Sequence, residues 1–247
     1  MSRTIVAVVA HPDDESLIAG GTLALAARAG AKTGVVSMTR GEHGPISDPA
    51  LAVPEQLGDV REAELSAAGR ALGIGWSTCL RHPDGELPWV DFDAAAAELV
   101  ALLAPCNPEV VLTFGEDGLY GHPDHTAAAE ITAQAIRRLN APVDVYEAAW
   151  PSGLVSELAA AAARRGLPHE LWGLEPEAFG SDRASVLTVD VRAVLAQKLS
   201  ALRSHRTQLG ADHLLTALPL DLAERFLGYE PWAGPQAGRL QELLRGG

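Results

Sequence analysis

Two short stretches hold the residues that could do chemistry. The first is Ala10-His11-Pro12-Asp13-Asp14-Glu15, one histidine followed by three carboxylates. The second is Gly121-His122-Pro123-Asp124-His125, two histidines around an aspartate. Histidine and aspartate together can hold a divalent cation, and hydrolytic metal sites commonly take three such ligands and keep a further position open. A spare carboxylate beside the ion can act as a general base. Each stretch alone also has a plain structural explanation, because acidic residues after a strand cap the next helix and fill its first turn. A site arises only if the fold brings the two together.

The elements around them predict that it does. Apolar runs alternate with helical periodicity, the pattern of a mostly parallel sheet with helices on both faces. Strands are expected at about Thr4–Ala10, Lys32–Met38, Trp76–Leu80, Val110–Phe114 and Val143–Ala149, with a short one near Val186–Val189. Helices are expected at about Ser16–Ala29, Glu55–Leu72, Asp91–Ala104, from Pro123 to about Leu139, Ser152–Arg165 and Val191–Arg206. Pro123 suits the first helical position, with His122 as the cap. Gly20 and Gly21 sit inside the first helix, at a cost of about 1 kcal/mol each relative to alanine, and so imply close packing there. The two chemical stretches follow the first and fourth strands. In the usual doubly wound order these strands are neighbours at the switch point, where ligands bind.

Length and composition set limits. The chain has 247 residues, 47% hydrophobic and 21% charged, and reads as one domain over 1–247 with a core at about 4–208 and a docked C-terminal segment at about 209–247. Its net charge of −13 argues against nucleic acid as a partner, since phosphate-backbone binding needs basic surface. No apolar run reaches transmembrane length, and Met1-Ser2-Arg3 runs into the first strand without a leader, so a cytoplasmic protein with no membrane partner is expected. Cys79 and Cys106 form neither a disulfide framework nor a metal spacing and read as buried thiols. A homo-oligomer is left open. The Gly- and Pro-rich loop from Thr39 to Pro54 is too long for a plain connection and leaves the same sheet edge.

The two stretches resemble the paired signature motifs of the LmbE-like, or PIG-L-type, N-deacetylases. Arg61-Glu62-x-Glu64, and Lys198 with His205 through Gln208, are similar to two weaker patterns of that family, although the last has Thr207 where Ser is usual. The resemblance implies a Rossmann-like α/β fold and a hydrolase that removes an acyl group, typically acetyl, from the amide nitrogen of a small amino-sugar substrate. It implies zinc, or another divalent transition metal, on His11, Asp14 and His125. It implies Asp13 as general base, and His122, oriented by Asp124 and kept cationic by that carboxylate, as the group that stabilises or protonates the reacting group; Asp13 and His122 both stay open as the group that protonates the leaving amine. Arg61, Asp84 and Glu42 match positions that contact substrate. For Glu15 a supporting role and a plain first-turn carboxylate are equally expected. His205 reads as packing, and His43 and His82 as solvated loop histidines. A rival within the enzyme class is an amidase of a thiol conjugate or an acylated antibiotic. A rival outside it is a nucleotide-binding module, which should carry G-x-G-x-x-G where this chain has His-Pro-Asp-Asp-Glu.

Overall fold

The structure is a computed structural model that describes residues 3–245 except 170, 186 and 237. The first five strands are β1 (Thr4–Val9), β2 (Lys32–Ser37), β3 (Trp76–Cys79), β4 (Val110–Thr113) and β5 (Asp144–Ala148). Two later strands, β6 (Leu187–Asp190) and β7 (Tyr229–Ala233), complete one sheet of order β3-β2-β1-β4-β5-β7-β6. The first five are parallel, and β7 lies antiparallel to both β5 and β6. β1 is buried along its whole length, as a central strand covered on both faces must be. Its register places Ala7 opposite Leu112 of β4, so the loops after these strands leave the sheet side by side. The adjacency of β1 and β4 is the one expected for this pattern of elements, whereas β7, inserted between β5 and β6, is not.

The helices are α1 (Gly20–Arg28), α2 (Leu57–Leu72), α3 (Phe92–Cys106), the single turn α4 (Gly118–Gly121) and α5 (Pro123–Arg138). They are followed by α6 (Leu154–Ala163), α7 (Leu195–Leu202), α8 (Leu214–Ala217), α9 (Leu220–Leu227) and α10 (Arg239–Leu244). Among the described residues no helix is long and apolar enough to cross a membrane. The first helix differs from expectation: it begins as a π-helical turn, Glu15–Ala19, with all five residues buried. Widened turns of this kind occur mostly at functional sites. Gly21 is required by contact, since a Cβ there would lie 2.4 Å from the Cβ of Val191.

The C-terminal segment is not merely docked, because β7 is an internal strand of the sheet. It carries a buried carboxylate, Glu230, that accepts from Gly21 N (2.8 Å), Thr22 N (2.7 Å) and Thr22 Oγ1 (2.6 Å), at the start of α1. Free amides at a helix start favour an anion. The buried Lys198 ammonium, on α7, neutralises that anion at 2.5 Å. One ion pair thus ties α1, α7 and β7 together. Cys79 is buried and Cys106 half-buried, and both are free thiols.

Candidate active site and metal centre

The chain leaves β1 in a tight turn that aims three acidic side chains. Asp13 has φ 135°, in a half of backbone space that L-residues avoid. Such a conformation costs about 1–3 kcal/mol and persists only where its surroundings over-determine it. Here both polar ends of the Pro12–Asp13 peptide are held by buried charged side chains. Arg61 Nη2 donates to Pro12 O at 2.7 Å, and Asp13 N donates to Glu15 Oε2 at 3.0 Å. Glu15 is fully buried, and its other oxygen accepts from Ser16 Oγ (2.5 Å) and contacts His205 Nε2 (2.8 Å). Glu15 is therefore no solvated first-turn carboxylate, and His205 is not packing alone. Burial disfavours the His205 cation, but the Glu15 carboxylate outweighs it and raises the pKa.

His11, Asp14 and His125 offer ligand atoms that all lie within 4.8 Å of one another, and all three are buried. His125 Nδ1 sits 3.0 Å from Gly118 O, a pure acceptor, so this nitrogen carries the proton. Nε2 is then left with its lone pair 3.3 Å from Asp14 Oδ1, buried and without a hydrogen-bond partner. His11 is held the other way round. Its Nε2 lies 3.1 Å from both Asp84 Oδ1 and Asp124 Oδ2, which leaves Nδ1 facing Asp14 Oδ2 at 3.4 Å. Two ring nitrogens and a carboxylate thus point into one small volume, and a cation there would satisfy the orphaned His125 nitrogen. Carboxylates behind ligand histidines are the usual support of such sites. The Phe114 ring stacks on His125 at 4.0 Å and fixes its plane.

The titration behaviour follows from these contacts. Burial opposes a charge on His11, but Asp124, Asp14 and Asp84 outweigh it and raise its pKa well above the ordinary value. Burial likewise opposes the Asp14 carboxylate, which the cationic His11 beside it nevertheless helps to hold well below the usual range. A divalent cation must therefore displace a proton from His11 Nδ1. Asp13 goes the opposite way. Burial raises its pKa to about 6, against the pull of the Arg61 guanidinium 3.1 Å from its Oδ2.

A second set of three, His11, His122 and Asp124, also lies within ligand range, but its lone pairs are taken. His122 caps α5, with Nδ1 accepting from Asp124 N at 3.2 Å. The fully buried Asp124 carboxylate accepts from Gly85 N (2.8 Å) and Leu87 N (3.1 Å) and faces His11. Asp124 therefore orients His11 and does not pair with the His122 ring, contrary to the expectation. Without that pairing, burial and the neighbouring His125 and His11 lower the His122 pKa to about 4. The neutral ring accepts through Nδ1, so its proton is on Nε2.

Arg61, Asp84 and Glu42, the expected substrate contacts, each have partners within the protein. Both Asp84 oxygens are engaged by the protein, one by His11 and the other by His43 N at 2.8 Å, and its pKa is lowered to about 2, against burial, chiefly by His11. Arg61 is buried and holds Gly41 O, Pro12 O and Asp13. Glu42 accepts from Asp84 N at 3.3 Å and supports that loop. A cavity of about 350 Å³ opens over the cluster. Its lining includes the polar His11, Asp13, Asp14, Arg61, Asp84 and His122 and the apolar Leu17, Trp172, Leu174, Leu202, Leu209 and Leu215. Tyr120 also lines it, with its ring 5.6 Å from that of His122 and 5.1 Å from that of His125. Neither Tyr120 nor the leucine wall is flagged by the sequence. The one available hint for Tyr120 is its place between Gly118 and Gly121, in the loop that presents His122.

Comparison with known proteins agrees with this geometry. Residues 6–136 match the family model PIG-L, GlcNAc-PI de-N-acetylase. A 1D-myo-inositol 2-acetamido-2-deoxy-α-D-glucopyranoside deacetylase from Acidothermus cellulolyticus is 34% identical over 256 residues, covering 93% of this chain and 88% of its own. The protein of the same name from Actinosynnema mirum is 35% identical over 281 residues, covering 98% and 96%. Among solved structures, the N,N'-diacetylchitobiose deacetylase from Pyrococcus horikoshii superposes with a TM-score of 0.68 over 95% of this chain and 84% of that one, at 19% identity, a likeness of fold. Matched over more than half its length by the family model and over nearly all of it by these relatives, the chain belongs to the PIG-L family of de-N-acetylases.

Proposed function

We propose that the protein is a zinc-dependent hydrolase that removes the acetyl group from an N-acetylated glucosaminide. The observation that carries this reading is the orphaned, buried Nε2 of His125, converging with Asp14 and His11 beside the spare carboxylate of Asp13. The curated relatives are named for the same reaction on an inositol glucosaminide. His11 through Nδ1, Asp14 and His125 through Nε2 would hold the ion. Bound there, zinc supplies Lewis acidity toward the amide carbonyl and the attacking water.

The chain's own residues do the rest. Asp13 takes the proton of the attacking water. A base pKa of about 6 leaves it ionised at neutral pH yet able to hold the proton briefly, which is the compromise general bases need. His122, neutral and protonated on Nε2, donates a hydrogen bond to the oxyanion that develops on the carbonyl. With a pKa of about 4 it carries no second proton to give. Asp13 is then the group that returns the proton to the leaving amine. The test is metal analysis of the purified protein, followed by an amine-release screen over N-acetylglucosaminides. About one zinc per chain and release of amine are expected. A metal-loaded protein that hydrolyses none of them overturns the reading.

A further inference from the structure

The lining of the cavity is of two unlike kinds, which come from different segments of the chain. The polar wall carries the chemistry described above. The other, formed by Leu17, Trp172, Leu174, Leu202, Leu209 and Leu215, comes from the π turn, the end of α7, the segment after it, α8, and the segment between α6 and β6. Three of these, Leu17, Trp172 and Leu215, also border a wholly apolar crevice reaching in to Trp150, Leu158, Phe179 and Phe226.

Two N–H donors on that side are already engaged. Trp172 Nε1 donates to Gln208 O at 3.2 Å, and Gln208 Nε2 donates to Pro45 O at 2.8 Å. A hydroxyl brought against these six apolar side chains would leave water without gaining a partner from them, which costs free energy. One aromatic ring is enough to match the apolar face of a sugar. Six apolar side chains from five segments cover much more.

We infer that this wall is a subsite for a hydrocarbon substituent on the amino-sugar substrate, borne either as the aglycone or as the N-acyl chain. The inference rests on the deacetylase reading. It sets this chain apart from a preference for inositol glucosaminides, since an inositol ring presents a hydroxyl on every free carbon.

The experiment uses the zinc-loaded enzyme and two substrate series. One is methyl, butyl and hexyl glycosides of N-acetylglucosamine, with the inositol glycoside as comparator. The other is methyl glucosaminide bearing acetyl, butyryl or hexanoyl on nitrogen. A buried methylene contributes about 0.8 kcal/mol, so kcat/KM should rise up to about fourfold per methylene in one series. The series that rises identifies the aglycone or the acyl chain as the occupant. The Leu215→Asn variant should flatten that slope, and a slope it leaves intact overturns the assignment of the wall. Flat or falling values in both series overturn the inference while the deacetylase reading stands, and an inositol glycoside preferred to the hexyl glycoside overturns the aglycone as occupant. Absence of amine release from every substrate overturns both.

Discussion

Glu15→Gln is the substitution that most directly tests how the strained Asp13 turn is held. The Glu15 carboxylate accepts on both oxygens: Asp13 N on one, Ser16 Oγ and His205 Nε2 on the other. A glutamine has one acceptor and one donor end, so either the Asp13 amide or the Ser16–His205 pair loses its acceptor. A hydrogen bond to a charged group contributes about 1.5–3 kcal/mol. That is the same size as the roughly 1–3 kcal/mol needed to keep Asp13 at its positive φ, so the turn should relax. If the loss is felt in the transition state, kcat falls by about 10- to 150-fold, at about 1.36 kcal/mol per decade. KM and zinc content should hold, because neither oxygen faces the cavity or the ligand atoms. The assay is a double-mutant cycle in kcat. Glu15→Gln should cost its full factor in the parent chain and almost nothing on top of Asp13→Asn, since a holder of the base has no work once the base is gone. Independent, multiplying losses would show that Glu15 supports the fold at large and refute the reasoning.

Four further outcomes follow from the same geometry. Asp13→Asn should keep zinc and lose about 10²–10⁴-fold in kcat, whereas Asp14→Asn should first lose zinc affinity and recover partly in excess metal; the reverse pattern in a metal titration would exchange their roles. With Asp13 as the proposed base, kcat/KM should rise with pH along an acid limb and then level; Arg61→Gln removes the charge that lowers the Asp13 pKa and should move that limb upward, and a limb that stays put would deny the coupling. His11 is cationic below its raised pKa, so zinc binding at neutral pH should release a proton and weaken as pH falls, which calorimetry in buffers of different ionisation enthalpy would detect. Glu230→Gln leaves the Lys198 ammonium buried without its counter-charge and should cost about 3–5 kcal/mol in urea denaturation, a loss that a merely peripheral C-terminal segment would not produce.

What the sequence carries and what it conceals differ by range of interaction. β1 and β4 were legible because central strands are continuous apolar runs, β2, β3 and β5 through the alternation of strand and helix patterns, and the adjacency of β1 and β4 follows from topology. That was enough to bring the two histidine-bearing stretches to one edge. β7 was not legible. Its Tyr229-Glu230-Pro231-Trp232-Ala233 sequence contains a proline and a charge, and both argue against an internal strand. The charge becomes tolerable only through Lys198 and the amides of Gly21 and Thr22, none of which lies nearby in sequence.

The misplacement of Asp124 has a local cause. A histidine and an aspartate two residues apart look like partners on paper, but side chains at i and i+2 of a helix do not face each other. With His122 as the cap, the first turn of α5 sends the Asp124 carboxylate toward β1 and His11, and leaves the His122 ring alone over the cavity. Arg61 shows the complementary case, a role decided by residues that seem inert. On α2 it could equally have been a surface ion pair. It turns inward because the loop above it has no side chain at Gly41, where a Cβ would lie 2.3 Å from the guanidinium carbon, and none at Gly44, where a Cβ would lie 2.5 Å from Nη1. An alanine at either position would push the guanidinium off Pro12 O and Asp13 together. The glycines of the long loop are therefore part of how Asp13 is aimed, although neither touches it.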